Sequence, residues 1–129
     1  MPEKKCRVLV IDDHEDTSEM LKLLLGEEDY QVNVALTIQE ALSMATSGEF
    51  DLYVLDRRFP DGSGLDLCAQ LNQVTPSVPC IFYSGDAYDI HRVEALAAGA
   101  HAYIAKPDID GLIDKVNQIM AKQDCASAT

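Results

Sequence analysis

Arg7-Val-Leu-Val-Ile-Asp-Asp13 reads as a strand that is apolar on both faces and stops at two carboxylates. Branched residues at consecutive rather than alternate positions suit a strand covered on each side by helices. Runs of the same kind recur at Leu52-Tyr-Val-Leu55, Cys80-Ile-Phe-Tyr83 and Ala102-Tyr-Ile-Ala105. Gln31-Val-Asn-Val-Ala35 alternates instead, as a strand near a sheet edge would. Helical spacing fills the gaps. Leu21, Leu24 and Leu25 make one stripe, and Ile38, Ala41, Leu42 and Ala45 a second. Ile90, Val93 and Ala97 make another, and Ile109, Leu112, Ile113, Val116 and Met120 the clearest. Thr37-Ile-Gln-Glu40 has the form of a capping box, and Gly26, Gly48 and Gly99 fall where helices should stop. A strand followed by a helix, five times over, predicts a doubly wound α/β fold: a five-stranded parallel sheet with helices on both faces.

The 129 residues amount to one domain, long enough to bury a core without staples. Ten basic against 22 acidic residues give a net charge of −12, a field that repels a phosphate backbone and argues against direct nucleic-acid binding. No apolar run approaches the roughly 18 residues that cross a bilayer, and the polar start has no signal-peptide architecture. Cys6, Cys68, Cys80 and Cys125 form no C-x-x-C pair, so free thiols in a reducing cytoplasm are expected.

The residues that follow the strands carry the chemistry. Asp12 and Asp13 follow the first, Asp56 the third, Ser84 the fourth, and Lys106 with Pro107 the fifth. In an open α/β sheet the ligand crevice lies outside these carboxyl ends. Three carboxylates gathered there repel one another, so a cation must join them or some must protonate. Hard oxygen donors suit Mg²⁺. A divalent ion with a lysine makes a pocket for a phosphoryl group, and a central carboxylate can attack phosphorus to form an acyl phosphate. Asp56 is the best placed, because its strand should be central. One acid at one strand end is readily a solvated loop starter or a helix cap; a matched set at four of the five strand ends is not. Glu15 and Asp16 need no function beyond favouring a helix N-terminus.

These residues match a known pattern. Val8-Leu-Val-Ile-Asp-Asp13, Gly48-Glu-Phe-Asp-Leu-Tyr-Val-Leu-Asp56, Phe59-Pro-Asp-Gly-Ser-Gly-Leu65, Tyr83-Ser-Gly85, Ala97-Ala-Gly-Ala100 and Tyr103-Ile-Ala-Lys-Pro107 occur in the order and spacing of response regulator receiver domains. The chain resembles that family over residues 6–122, with 1–5 and 123–129 expected to be flexible termini. The resemblance implies a flavodoxin-like (βα)5 fold with strand order 2-1-3-4-5. It implies that Asp56 accepts a phosphoryl group from a histidine kinase or phosphotransfer protein. Asp12, Asp13, Asp56 and the backbone carbonyl of Arg58 would hold Mg²⁺. Ser84 and Lys106 would bind the phosphoryl oxygens, the Lys106–Pro107 bond would be cis, and Tyr103 would turn inward as Ser84 moves. The surface around the fourth helix, fifth strand and fifth helix would then change for a downstream protein or a linked output domain. That same face is one expected route to a homodimer. The chain would be cytoplasmic, without membrane contact. It would not be a turnover enzyme, since the product of the chemistry is its own altered state.

Several positions have two readings. Arg58, two beyond Asp56, would meet the phosphoryl group or an acidic neighbour and alter hydrolysis, or stay solvated with only its carbonyl used. Asp86, two beyond Ser84, would tune water access or favour the fourth helix N-terminus. Tyr103 is otherwise an ordinary core-edge aromatic. His14 invites a metal-ligand reading, against which stands an exposed loop histidine. His91 and His101 look like surface residues, and Cys68 packs the third helix. The competing functions are an aspartyl phosphohydrolase, a phosphorylation-independent scaffold and a flavin-binding protein. Haloacid-dehalogenase-like hydrolases need an acid where Arg58 stands; all the acidic and Lys positions are present, against the scaffold; and no hydroxyl-rich phosphate loop follows the first strand.

Overall fold

The structure is a computed structural model and describes residues 5–85 and 89–123. Along the chain run β1 (Arg7–Ile11), α1 (Glu15–Glu27), β2 (Gln31–Ala35), α2 (Ile38–Ser47), β3 (Leu52–Leu55), β4 (Arg58–Phe59) and β5 (Gly62–Ser63). There follow α3 (Gly64–Val74), β6 (Cys80–Ser84), α4 (Asp89–Ala97), β7 (Ala102–Ala105) and α5 (Ile109–Met120). The five longer strands form one sheet in the order β2-β1-β3-β6-β7, with every neighbouring pair parallel. Counting only those strands, this is the expected 2-1-3-4-5. Register then sets the site. Ile11 pairs with Leu55, so Asp12 and Asp56 leave the sheet side by side, and Ser84 pairs with Ala105, the residue before Lys106.

The period of two along each strand divides the core. Leu9, Ile11, Tyr53, Leu55, Phe82 and Tyr103 face α2, α3 and α4 through Ala41, Ala45, Leu67, Cys68, Leu71 and Ala95. Val8, Val10, Leu52, Val54, Ile81 and Tyr83 face α1 and α5 through Leu21, Leu25, Leu112, Val116 and Met120. All four residues of β3 are buried, whereas β2 is only partly covered, as central and edge positions require. Each fully buried Leu or Ile contributes about 1.5–3 kcal/mol relative to exposure, so this two-sided core fixes where the strands end. Among the described residues, no helix is long and apolar enough to cross a membrane.

Several local expectations are corrected. Gly26 lies within α1, and the left-handed residue beyond that helix is Asp29 (φ 70°), with Tyr30 N donating back to Leu25 O. Gly48 and Gly99 do lie just beyond helix ends, Gly99 at φ 106°. Thr37 Oγ1 accepts from Glu40 N at 3.1 Å, but Glu40 Oε1 reaches back to Leu36 N rather than to the cap residue's own amide. Ile90, Val93 and Ala97 do not face the core: Ala95 is the buried residue of α4, and Ile90 and Val93 are each 59% exposed. The two-residue hairpin β4–β5 is too short for periodicity to reveal. Cys68 and Cys80 are free thiols, whereas Cys6 is disulfide-bonded, contrary to the free thiol expected there; Cys125 lies outside the described residues.

Candidate functional site

The carboxylates are held by main-chain hydrogen bonds before any side chain contributes. Asp12 N donates to Ala35 O at 3.1 Å and Asp56 N to Ile11 O at 3.1 Å, extending the sheet's ladder by one residue on each strand. Ser18 of α1 is buried and its hydroxyl donates to Asp12 O at 3.0 Å, occupying a carbonyl the sheet leaves free. Asp12 and Asp56 are 3% and 7% exposed, so their charges need partners inside the fold.

Gly64 sets the depth of the site. It opens α3 against the back of the β3 loop, and its N–H donates to Arg57 O at 2.6 Å. A Cβ at this position would stand 2.0 Å from Asp56 O. Only glycine permits that approach.

Lys106 Nζ lies 2.9 Å from Asp12 Oδ2 and 3.3 Å from Asp56 Oδ2, joining the two buried carboxylates, and its bond to Pro107 is cis. Burial pulls its pKa down, but the hydrogen bond and charge of Asp12, followed by Asp56, outweigh this and hold it above the ordinary lysine value. Asp56 Oδ1 accepts the Arg57 N–H at 2.7 Å. Three carboxylates against one ammonium leave the pocket electronegative.

Ser84 is buried at the end of β6 and lines the crevice with Asp13, His14, Asp56, Arg58, Phe59, Pro60 and Gly85; its volume is about 420 Å³. Tyr103 is 3% exposed, its ring stacked on Phe82 with centroids 6.1 Å apart. Asp86 lies outside the described residues. Sequence reasoning missed the part played by Arg57, whose Nη2 reaches Glu94 Oε2 on α4 at 3.8 Å. No local signal marks that pair, which the fold brings together.

His14 shows features of both its readings. Its side chain is 64% exposed, yet Nδ1 turns inward to 2.9 Å from Asp12 Oδ1 and 3.4 Å from Asp13 Oδ1. The hydrogen bond to Asp12 raises its pKa above 6.5, partly opposed by burial.

The donor set fits a metal ion. Asp12, Asp13, His14 and Asp56 each offer an atom, all within 4.8 Å of one another. Asp13 Oδ1 is buried without a hydrogen-bond partner among the described residues, leaving its lone pairs for a cation. His91 and His101 belong to no such group among the described residues.

The family model for the response regulator receiver domain matches residues 8–117. Response regulator ArlR of Staphylococcus epidermidis is 31% identical over 117 residues, covering 90% of this chain and 53% of that protein. A two-component response regulator from Clostridium difficile superposes with a TM-score of 0.88 at 28% identity, over 93% of this chain and 99% of that one. Response regulator TrrA from Thermotoga maritima, solved in complex with Mg²⁺–BeF, superposes at 0.80 with 32% identity, over 88% and 98%. The chain belongs to the response regulator receiver domain family. It spans about half the length of the ArlR relatives it matches.

Proposed function

We propose that residues 6–122 form a phosphorylation-controlled signalling module in which Asp56 is the phosphoacceptor. The observation that carries this reading is the convergence of Asp12, Asp13 and Asp56 with Lys106 at adjoining strand ends. An Asp56 carboxylate oxygen attacks phosphorus of a phosphohistidine on a histidine kinase or phosphotransfer protein. The phosphorus–nitrogen bond breaks, its electron pair stays with the imidazole, and an acyl phosphate forms. Asp12, Asp13, Asp56 and the Arg58 carbonyl would hold Mg²⁺, which supplies charge neutralisation for the transferring group. Lys106, already 3.3 Å from Asp56, pairs with one phosphoryl oxygen, and the Ser84 hydroxyl donates to another. Arg58 lines the crevice and tunes water access, a role that Asp86, two residues beyond Ser84 in the sequence, shares.

The acyl phosphate favours the conformer in which Ser84 and Lys106 close on it; Tyr103, expected to turn inward as Ser84 moves, is already buried at 3% exposure. A bias of a few kcal/mol suffices to shift such an equilibrium. The face of α4, β7 and α5 reports the change to a partner, a second copy or an output domain; exposed Ile90, Val93 and Leu96 on α4 support that role. The module works in the cytoplasm and makes no membrane contact. Its own phosphorylated state is the output, so it is not a turnover enzyme, and the aspartyl phosphohydrolase reading fails for want of an acid at Arg58.

Beryllium fluoride is the direct probe, because it mimics the phosphoryl group on a carboxylate. Fluorine NMR should show a bound resonance that needs Mg²⁺ and disappears in Asp56→Asn. A bound resonance unchanged in Asp56→Asn would place the acceptor elsewhere.

A further inference from the structure

The fourth donor at the acidic site is an imidazole, and its placement bears on which metal the site prefers. His14 caps the N-terminus of α1, and its backbone N–H donates to Asp12 Oδ1 at 2.9 Å, which fixes the main chain that carries the ring. The ring is 64% exposed, so packing does not force Nδ1 toward the carboxylates. Nδ1 nevertheless lies 2.9 Å from Asp12 Oδ1, 3.4 Å from Asp13 Oδ1 and 3.8 Å from Asp56 Oδ2. In an octahedron with bonds of about 2.1 Å, neighbouring ligands stand about 3.0 Å apart and opposite ones about 4.2 Å. The observed separations fall close to that interval, and the Asp13 oxygen nearest the ring is the one without a hydrogen bond.

We propose that His14 is a ligand of the metal site through Nδ1 and biases it from Mg²⁺ toward divalent transition ions that favour imidazole, such as Ni²⁺. Carboxylate and carbonyl oxygens alone suit Mg²⁺; one nitrogen donor strengthens binding of borderline ions and does little for a hard one. On binding, the metal replaces the proton between Nδ1 and Asp12 Oδ1, and that proton passes to solvent. The inference rests on the reading of Asp12, Asp13 and Asp56 as metal ligands. The competing role for His14 is a counter-ion that fills the electronegative pocket in place of metal, and it has the opposite consequence. A counter-ion must be displaced by every divalent ion, so its removal would strengthen Mg²⁺ and Ni²⁺ alike.

The test is calorimetric titration of untagged protein at pH 8 with Ni²⁺ and, separately, Mg²⁺, in wild type, His14→Ala and Asp13→Asn. The ligand role predicts that His14→Ala weakens Ni²⁺ by about tenfold or more and moves Mg²⁺ by less than about twofold. Asp13→Asn should weaken both. In the wild type, substoichiometric Ni²⁺ should broaden the His14 ring resonances before those of His91 and His101. Unchanged Ni²⁺ affinity in His14→Ala, or a gain for both ions, overturns the proposal while leaving the carboxylate site standing. If Mg²⁺ fails to bind the wild type, or Asp13→Asn moves neither ion, the carboxylate site itself is refuted and the His14 role with it.

Discussion

Replacing Gly64 by alanine tests how the fold sets the depth of Asp56, the proposed phosphoacceptor. The added Cβ would lie 2.0 Å from Asp56 O, 2.9 Å from Arg57 Cα and 3.0 Å from Asp56 C. All three are main-chain atoms, so no side chain can swing aside. Real contacts begin at about 3.0 Å, and α3 must therefore withdraw from the β3 loop by ~1 Å. Withdrawal also stretches the bond from Gly64 N to Arg57 O. Overpacking costs about 1–3 kcal/mol and the weakened hydrogen bond about 1 kcal/mol more. For a chain of this size that is a fall in Tm of roughly 10 °C. A shift of about 1 Å in an attacking group costs on the order of 10²-fold in rate. Circular dichroism melts and the rate of phosphorylation by acetyl phosphate, read by intact mass, measure the two effects. A variant that melts within about 2 °C of wild type and phosphorylates at the same rate would refute the close-approach argument.

Three further outcomes follow from the same geometry. Asp13→Asn removes one of three carboxylates that face one ammonium, so in EDTA it should raise Tm, and it should abolish the rise that Mg²⁺ gives the wild type; equal Mg²⁺ shifts in both proteins would contradict this. The pKa of His14 is raised above 6.5 in the metal-free fold, so its contribution to stability is complete below about pH 6.5 and is lost as pH rises through the folded value. Urea denaturation of wild type and His14→Ala across that range in EDTA should show a difference that shrinks with pH, and a constant difference would count against it. Glu94→Gln weakens the 3.8 Å pairs of Glu94 with Arg57 and with His91 on a half-exposed helix face, so global stability should change by less than about 1 kcal/mol while hydrogen exchange in α4 quickens; unchanged α4 exchange would show that these pairs do not hold the helix.

The strands and the residues after them were legible because each obeys a local rule. A doubly covered strand reads as a continuous apolar run, and the chain must leave the sheet where the run ends. That places Asp12, Asp56, Ser84 and Lys106 on one rim before any coordinate is known. What stayed hidden depends on contacts between distant segments. Gly64, the first residue of α3, follows a stretch rich in turn residues, and nothing nearby marks its approach to Asp56 O. The α4 stripe of Ile90, Val93 and Ala97 has the spacing of a core face, yet periodicity gives a direction on the helix and not which side meets the sheet. Small Ala95 lets α4 lie close, and the larger residues turn outward. His14 has two readings in the sequence, exposed loop residue or metal ligand; most of its side chain is exposed, and the direction of Nδ1 follows from a charge cluster assembled from two strands.

The whole function rests on Asp56 taking the phosphoryl group. Incubation with Mg²⁺ and acetyl phosphate, followed by intact mass, tests it most directly, with EDTA and Asp56→Asn as controls. The expected product is a single phosphoryl adduct that needs the metal and vanishes in Asp56→Asn. An adduct that persists undiminished in Asp56→Asn would contradict it.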